Sequence, residues 1–180
     1  MIRVDARFSD RFVDVVAEGF DVAIRVGTLR DSSLTARKIA SFRNFLVAAP
    51  SYLAARGKPA KPQDLEKHSC LAFTSHASWP DWVLQRGREH KTVRPTGSLL
   101  GDSSEALLLA AIAGSGIILA PDWLAGPALR ARMLARVLEE WEGPTDGGVY
   151  AVMPPGRLVP NKTRVFVDEV THAIRGGWAS

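Results

Sequence analysis

Apolar and polar residues alternate at the start of the chain, over Ile2 to Phe8 and again over Phe20 to Val26. This period-2 alternation predicts two β-strands, each with one covered face. Between them, Ser9 and Asp10 are placed to open a short helix, because Asp10 can cap it and Gly19 can end it. Strand, short helix and strand in close succession predict a βαβ unit, and therefore a parallel strand pair.

The rest of the chain continues this mixture of strands and helices. Asp102-Ser103-Ser104-Glu105 has the form of a capping box with Asp102 as the cap, and it predicts a helix that runs to Ala113. Asn161 can cap a last amphipathic helix. Apolar runs predict four further strands, at Phe45–Ala49, Leu71–Phe73, Ile117–Ala120 and Val149–Met153.

The order of these elements predicts an α/β fold with two lobes. A polar segment rich in Pro and Gly, Gly57 to Pro62, is the best boundary between them. We therefore expect residues 1–60 and 150–180 in lobe I, and residues 61–149 in lobe II.

Composition narrows the class of protein. The chain has 180 residues, of which 46% are apolar and 23% charged, with a formal net charge of +4, which is typical of a globular protein. Its single cysteine excludes an internal disulfide, and its four histidines lack metal-ligand spacing, so we expect no metal and no cofactor. The residues Met1–Asp5 do not resemble a signal peptide, which predicts a protein that is not exported and is cytoplasmic.

Signals for catalysis are weak. Gly114-Ser115-Gly116 lies between a helix and a strand, which favours a helix C-cap over a phosphate loop or a nucleophile elbow. Cys70 has His68 and His76 nearby, and a thiolate–imidazole pair is chemically feasible. A small buried thiol explains Cys70 better, because an apolar strand follows it. We therefore expect no enzyme. For the basic run 86–94 a solvated hairpin is favoured over a phosphate-binding surface.

With catalysis disfavoured, the arrangement of predicted helices and strands still indicates a place where a small ligand could bind. Helix N-termini at Ser9-Asp10 and at Asp102-Ser103-Ser104 follow strands in different lobes, and helix N-termini favour anions. Ligands of α/β proteins collect beyond the carboxyl ends of strands. Simple helix capping accounts for the same residues, so the residue types alone leave ligand binding and capping as equal alternatives.

The segment Val13–Gly27, VDVVAEGFDVAIRVG, resembles a stretch of the effector-binding domain of LysR-type transcriptional regulators, D-hydrophobic-V-x-E-G-F-D-x-A-I-R-x-G. Further segments similar to the family's sequences occur in the same order as in the family, at Asp31–Arg37, Ala49–Leu53, Asp64–Leu71, Ala113–Ile117, Pro121–Leu124 and Val149–Val152. The resemblance covers nearly the whole chain.

The resemblance implies a domain like the type 2 periplasmic binding proteins, which hold a small anionic or polar effector between two α/β lobes. It also implies that the first strand–helix unit of lobe I is missing, and that DNA is bound only through a winged helix-turn-helix domain absent from this chain. The expected function is effector sensing by a transcription regulator, with no membrane association. The alternative is a free-standing solute-binding protein, which would need an export signal.

By resemblance, effector contacts fall on Ser9, Asp10, Gly27, Thr28, Thr74, Ser75, Trp79, Asp102 and Ser103. The family also implies a homodimer or higher homo-oligomer, in which the strand Ile2–Phe8 meets the helix after Asp102 of a partner. Without the missing unit, we expect Val22, Ile24 and Leu46 to expose apolar surface.

Overall fold

The computed structural model describes residues 2–9, 13–29, 34–75, 80–144, 147–156 and 159–178. In chain order the strands are β1 (Ala23–Gly27), β2 (Thr35–Ser41), β3 (Asn44–Ala48), β4 (Cys70–Phe73), β5 (Trp82–Arg86), β6 (Glu89–Val93), β7 (Leu100–Gly101), β8 (Ile117–Pro121), β9 (Ala135–Arg136) and β10 (Gly148–Met153). The α-helices are α1 (Pro50–Arg56), α2 (Ser104–Ile112), α3 (Asp122–Arg130) and α4 (Asn161–Trp178), and a 3-10 helix covers Pro62–Lys67. The predicted mixture of strands and helices is confirmed.

The chain divides into two compact units. The first unit consists of Met1–Ser41 and Asp146–Ser180, and the second unit is Phe42–Thr145. The sequence placed residues 42–60 in the first lobe, but β3 pairs antiparallel with β8 and belongs to the sheet of the second unit. An apolar strand fits either lobe by composition, and only its pairing partner decides between them.

The first unit is built on a three-stranded sheet in the order β1-β10-β2. Both pairings are antiparallel, so β10 is the central strand. Its Val149, Ala151 and Val152 are almost fully buried. Helix α4 packs against β2, and an ion pair of 2.6 Å joins Arg37 of β2 to Asp168 of α4.

The predicted strand Ile2–Phe8 is wrong. Residues 2–9 form no regular secondary structure, and their side chains are exposed, with Phe8 96% exposed. The predicted parallel pair is also wrong, because β1 pairs antiparallel with β10. Alternation makes a strand feasible, but a strand forms only where a neighbour bonds its backbone groups.

A turn over residues 15–19 stands where the short helix was expected. Asp14 caps it: Asp14 Oδ1 accepts hydrogen bonds of 3.0 Å from the backbone N–H groups of both Val16 and Ala17. Val15 is fully buried beneath the turn, and Gly19, at φ +72°, ends it as predicted. The expected cap, Asp10, lies outside the described residues.

The second unit contains a five-stranded sheet in the order β7-β4-β8-β3-β9. Strands β4, β7 and β8 are mutually parallel, while β3 runs antiparallel to its neighbours β8 and β9. Leu46 of β3 is 1% exposed, so the expectation that Leu46 is exposed is wrong; Ile24, at 36%, is exposed as expected. The basic run 86–94 contains the turn and the second strand of the hairpin β5–β6, which confirms the predicted hairpin.

Candidate functional site

Three parallel strands of the second unit end at one edge of its sheet. Because β4 pairs in parallel with both β7 and β8, their carboxyl ends point the same way. Thr74 and Ser75 follow β4, Asp102 and Ser103 follow β7, and Asp122 and Trp123 follow β8. We call these six residues the carboxyl edge. The carboxyl ends of parallel strands are where α/β proteins place ligands.

The ends of β4 and β7 are joined at this edge by Thr74. Its backbone N–H donates a hydrogen bond of 2.8 Å to the carbonyl oxygen of Gly101, and its hydroxyl donates to the same oxygen at 3.2 Å. Thr74 is half-buried, whereas Ser75 is exposed. The structure therefore brings the predicted pair Thr74 and Ser75 next to the predicted pair Asp102 and Ser103.

Helix α2 begins at the carboxyl edge. Its N-cap is Ser103, whose hydroxyl accepts a hydrogen bond of 3.4 Å from the backbone N–H of Ala106. The expectation that Asp102 is the cap is wrong by one residue. Asp102 is exposed, so its carboxylate faces solvent beside the partial positive charge of the helix N-terminus.

Asp122 and Trp123 were missed by the sequence reasoning, although they follow a predicted strand. Asp122 opens α3 and is fixed from both sides: its Oδ1 accepts from the backbone N–H of Trp123 at 2.8 Å, and its Oδ2 accepts from that of Arg43 at 3.2 Å. The apolar run Ile117–Ala120 predicts the strand, and therefore indicates that the residues after it lie at a strand end. The parallel pairing with β4, which places the end of this run beside Thr74, was not readable from the sequence.

The first unit contributes the remaining described candidates. Gly27 ends β1 at φ +128°, a backbone conformation that favours glycine, and it pairs with Gly148. Thr28 follows it and is exposed. Ser9 is exposed in a segment without regular structure. Asp10 and Trp79 lie outside the described residues, and the grouping of Ser9, Gly27 and Thr28 with the carboxyl edge stays a prediction.

The residues considered for catalysis have structural roles. Cys70 is fully buried, and burial raises the pKa of its thiol to about 12, so the thiol is protonated at neutral pH. His68 Nδ1 lies 3.1 Å from the hydroxyl of Tyr52, which also accepts a hydrogen bond of 2.9 Å from the backbone N–H of Ser69. Gly114 follows α2 at φ +84°, as the predicted C-cap requires.

The described ranges contain no group of three or more His, Cys, Asp and Glu side chains arranged to hold a metal ion. Across the same ranges, none of the helices has the length and apolar character needed to cross a bilayer.

A family model described as the LysR substrate binding domain matches residues 2–175. The chain belongs to the LysR substrate-binding domain family. The transcriptional regulator PtxR of Pseudomonas aeruginosa is 32% identical over 169 residues, which are 94% of this chain and 54% of PtxR. The activator TtdR of Escherichia coli is also 32% identical, over 93% of this chain and 54% of TtdR. This LysR domain thus spans about half the length of the curated relatives it matches.

Solved structures support the same assignment. The full-length virulence activator AphB of Vibrio cholerae matches 96% of this chain and 58% of its own, with a TM-score of 0.80 and 27% identity. The regulatory domain of CrgA from Neisseria meningitidis matches 88% of this chain and 77% of its own, with a TM-score of 0.76 and 28% identity. The predicted LysR-type α/β fold is confirmed, and the free-standing solute-binding alternative is not supported, because the relatives are helix-turn-helix regulators.

Proposed function

We propose that this chain is the effector-sensing part of a LysR-type transcription regulator. In this proposal a small polar molecule binds at the carboxyl edge, and DNA is contacted by a helix-turn-helix domain outside the chain. The observation that carries the proposal is the convergence of Thr74, Asp102, Ser103 and Asp122 from three parallel strands onto one sheet edge.

The chemistry of the edge favours a ligand with several hydroxyl or amino groups. Two carboxylates, Asp102 and Asp122, are acceptors there. The Thr74 hydroxyl is also an acceptor, because its proton is donated to Gly101, while the hydroxyls of Ser75 and Ser103 act as acceptors or donors. The N-termini of α2 and α3 favour negative charge, so a carboxylate group on such a ligand is tolerated as well. We propose no catalytic step, because the thiol of Cys70 is buried and protonated.

A thermal-shift screen of the 180-residue chain against a panel of polar metabolites tests the proposal. A ligand at about a hundred times its Kd adds about 2.7 kcal/mol to the free energy of unfolding. We expect at least one such ligand, and we expect Thr74→Val to reduce its stabilising effect while Thr92→Val, on the exposed side of β6, leaves it unchanged. If no compound stabilises the chain, or if both variants respond alike, the proposed site is wrong.

We also propose that the intact regulator is a homodimer and that it acts in the cytoplasm, where the DNA that it regulates is located. Apolar side chains support the first part: Leu109 of α2 is 65% exposed, and Ile2, Val4 and Phe8 are exposed in the segment expected to meet α2 of a partner. Sedimentation of the chain with Leu109→Gln tests this surface. The variant should dissociate at a concentration where the parent is dimeric, and a monomeric parent would contradict a dimer surface formed by α2 and the segment that contains Ile2, Val4 and Phe8.

A further inference from the structure

A second concave surface lies at the opposite edge of the same sheet. Ser69, Ser98 and Ser115 each stand one or two residues before a parallel strand, β4, β7 and β8 respectively, so they meet at the amino-terminal edge. Together with Ser51 of α1 they line a cavity of about 430 Å³. We call this the serine cavity. Its volume falls within the range of small-molecule sites.

The hydroxyls of the serine cavity are available to a ligand. Within the described part of the chain, none of these four serine side chains forms a hydrogen bond with another residue. The neighbouring Tyr52 hydroxyl differs, because it is held between His68 Nδ1 and the backbone N–H of Ser69. That bond fixes Ser69 and leaves its hydroxyl at the cavity wall.

The charge of the cavity is positive. Arg56, in the last turn of α1, is the ionised side chain among its lining residues, and none of the lining residues that the structure describes carries a carboxylate. Among the described residues, Arg56 has no acidic ion-pair partner. A guanidinium fork matches the oxygens of a phosphate group, and serine hydroxyls donate to the same oxygens.

The two walls of the cavity differ in character. Arg56 and Ser51 come from α1, whereas Ala113 and Gly114 form the end of α2. A helix C-terminus carries partial negative charge and carbonyl acceptors, so it favours ligand hydroxyls over a phosphate. A ligand that satisfies both walls carries a phosphate at one end and hydroxyl groups at the other.

We propose that the serine cavity binds a small phosphate monoester whose organic part bears hydroxyl groups. This site is separate from the carboxyl edge. Helix α2 connects the two, with Ser103 before its first residue and Ser115 beyond its last. At about 1.5 Å per residue, its nine residues separate the sites by about 13 Å. The chain would therefore bind two different ligands, one at each end of α2.

The test is a titration of the ¹⁵N-labelled 180-residue chain at constant ionic strength with glycerol 3-phosphate, inorganic phosphate and glycerol. We expect glycerol 3-phosphate to move the amide signals of Ser69, Ser98 and Ser115 and to bind more tightly than inorganic phosphate. Glycerol alone should move none of them. Signals that move only at Thr74 and Ser103 would assign the ligand to the carboxyl edge and overturn the proposal, as would no movement at all.

Matched variants locate the binding. Arg56→Gln should weaken binding of glycerol 3-phosphate by about tenfold or more, because a charge-assisted bond is lost. Lys58→Gln removes the same charge two residues away, outside the cavity lining, and should leave Kd unchanged. Ala55→Glu, which adds a carboxylate to the wall on an exposed helix position, should abolish binding.

Equal effects of Arg56→Gln and Lys58→Gln would show general charge attraction and overturn the proposal. Thr74→Val should leave this titration unchanged, which separates it from the proposed effector site.

Discussion

Thr74 and Gly101 are joined twice, because the backbone N–H and the hydroxyl of Thr74 both donate to the carbonyl oxygen of Gly101. This pair fixes the first residue after β4 to the last residue of β7. The position of Asp102 relative to Thr74 is therefore set by strand pairing rather than by a loop. With its proton directed at Gly101, the Thr74 hydroxyl presents its lone pairs to a ligand donor.

Replacing Thr74 by valine keeps the shape of the side chain and removes the hydroxyl. We expect Thr74→Val to lower the free energy of unfolding by about 1 kcal/mol, the net value of one hydrogen bond. The backbone N–H of Thr74 still bonds to Gly101, so the carbonyl oxygen keeps one donor. Urea denaturation measures the change, with Thr92→Val as the control on an exposed strand position. A Thr74→Val variant as stable as the parent would show that the 3.2 Å contact contributes nothing.

The cap of α2 gives a second prediction. Ser103→Ala removes the oxygen that accepts from the backbone N–H of Ala106, and it should cost about 1 kcal/mol of stability. Ser103→Asp should restore most of that loss, since aspartate caps equally well and its charge suits a helix N-terminus. Asp102→Ala serves as the control at the neighbouring exposed position. If Asp102→Ala destabilises the chain more than Ser103→Ala, then Asp102 is the cap.

The buried thiol of Cys70 predicts a dependence on pH. Its pKa is about 12 in the folded chain, against an ordinary value of 9.0, so between these values the unfolded chain has lost a proton that the folded chain keeps. The stability that this group contributes is fully present below pH 9 and is lost as pH rises toward 12. The slope approaches about 1.4 kcal/mol per pH unit.

Unfolding free energies measured from pH 8 to pH 10.5 for the parent and for Cys70→Ala isolate this effect, because other titrating groups are common to both. The parent should lose stability more steeply than the variant above pH 9. In the folded parent, a thiol reagent should react at pH 8 only at the rate of unfolding. Fast modification of the folded chain would contradict the burial of Cys70.

An exposed glycine gives the fourth prediction. A Cβ atom at Gly97 would lie 2.1 Å from the carbonyl oxygen of Cys70, which is backbone and has no flexible end to move. We therefore expect Gly97→Ala to destabilise the chain by about 1 to 3 kcal/mol, the usual cost of overpacking. Gly156→Ala is the control, since a Cβ there meets no atom of the described residues within 4 Å. Equal melting temperatures for the two variants would contradict the close approach of Gly97 to β4.

The sequence pattern predicted a strand or helix correctly where the signal for it, an apolar run or a capping residue, lies within or next to the element itself. The apolar runs at β3, β8 and β10 predicted strands, and the capping residues before α2 predicted its start to within one residue. Pairing partners were not predictable in this way. β1 pairs with β10, which lies more than a hundred residues away in the sequence. The alternation of residues 2–8 does not show whether another strand is available to form hydrogen bonds with them.

The candidate site shows the same division. Thr74, Ser75, Asp102 and Ser103 were found because hydroxyl and acidic residues follow predicted strands. Asp122 and the serine cavity depend on the parallel register of β4 with β7 and β8. The four serines are unremarkable one by one, and their convergence exists only once that register brings the starts of three strands together.

The order of strands in the first unit has a consequence for synthesis on the ribosome. β10 lies between β1 and β2, yet it is translated after every other strand that the structure describes. The second unit has all of its residues once Thr145 has emerged, so it can fold as a contiguous insert while β1 and β2 still wait for the strand that joins them. A nascent chain that stalls before Gly148 thus carries a second unit that is able to fold, while β1 and β2 still lack the strand that pairs with both. Proteases and chaperones would meet the chain in that form.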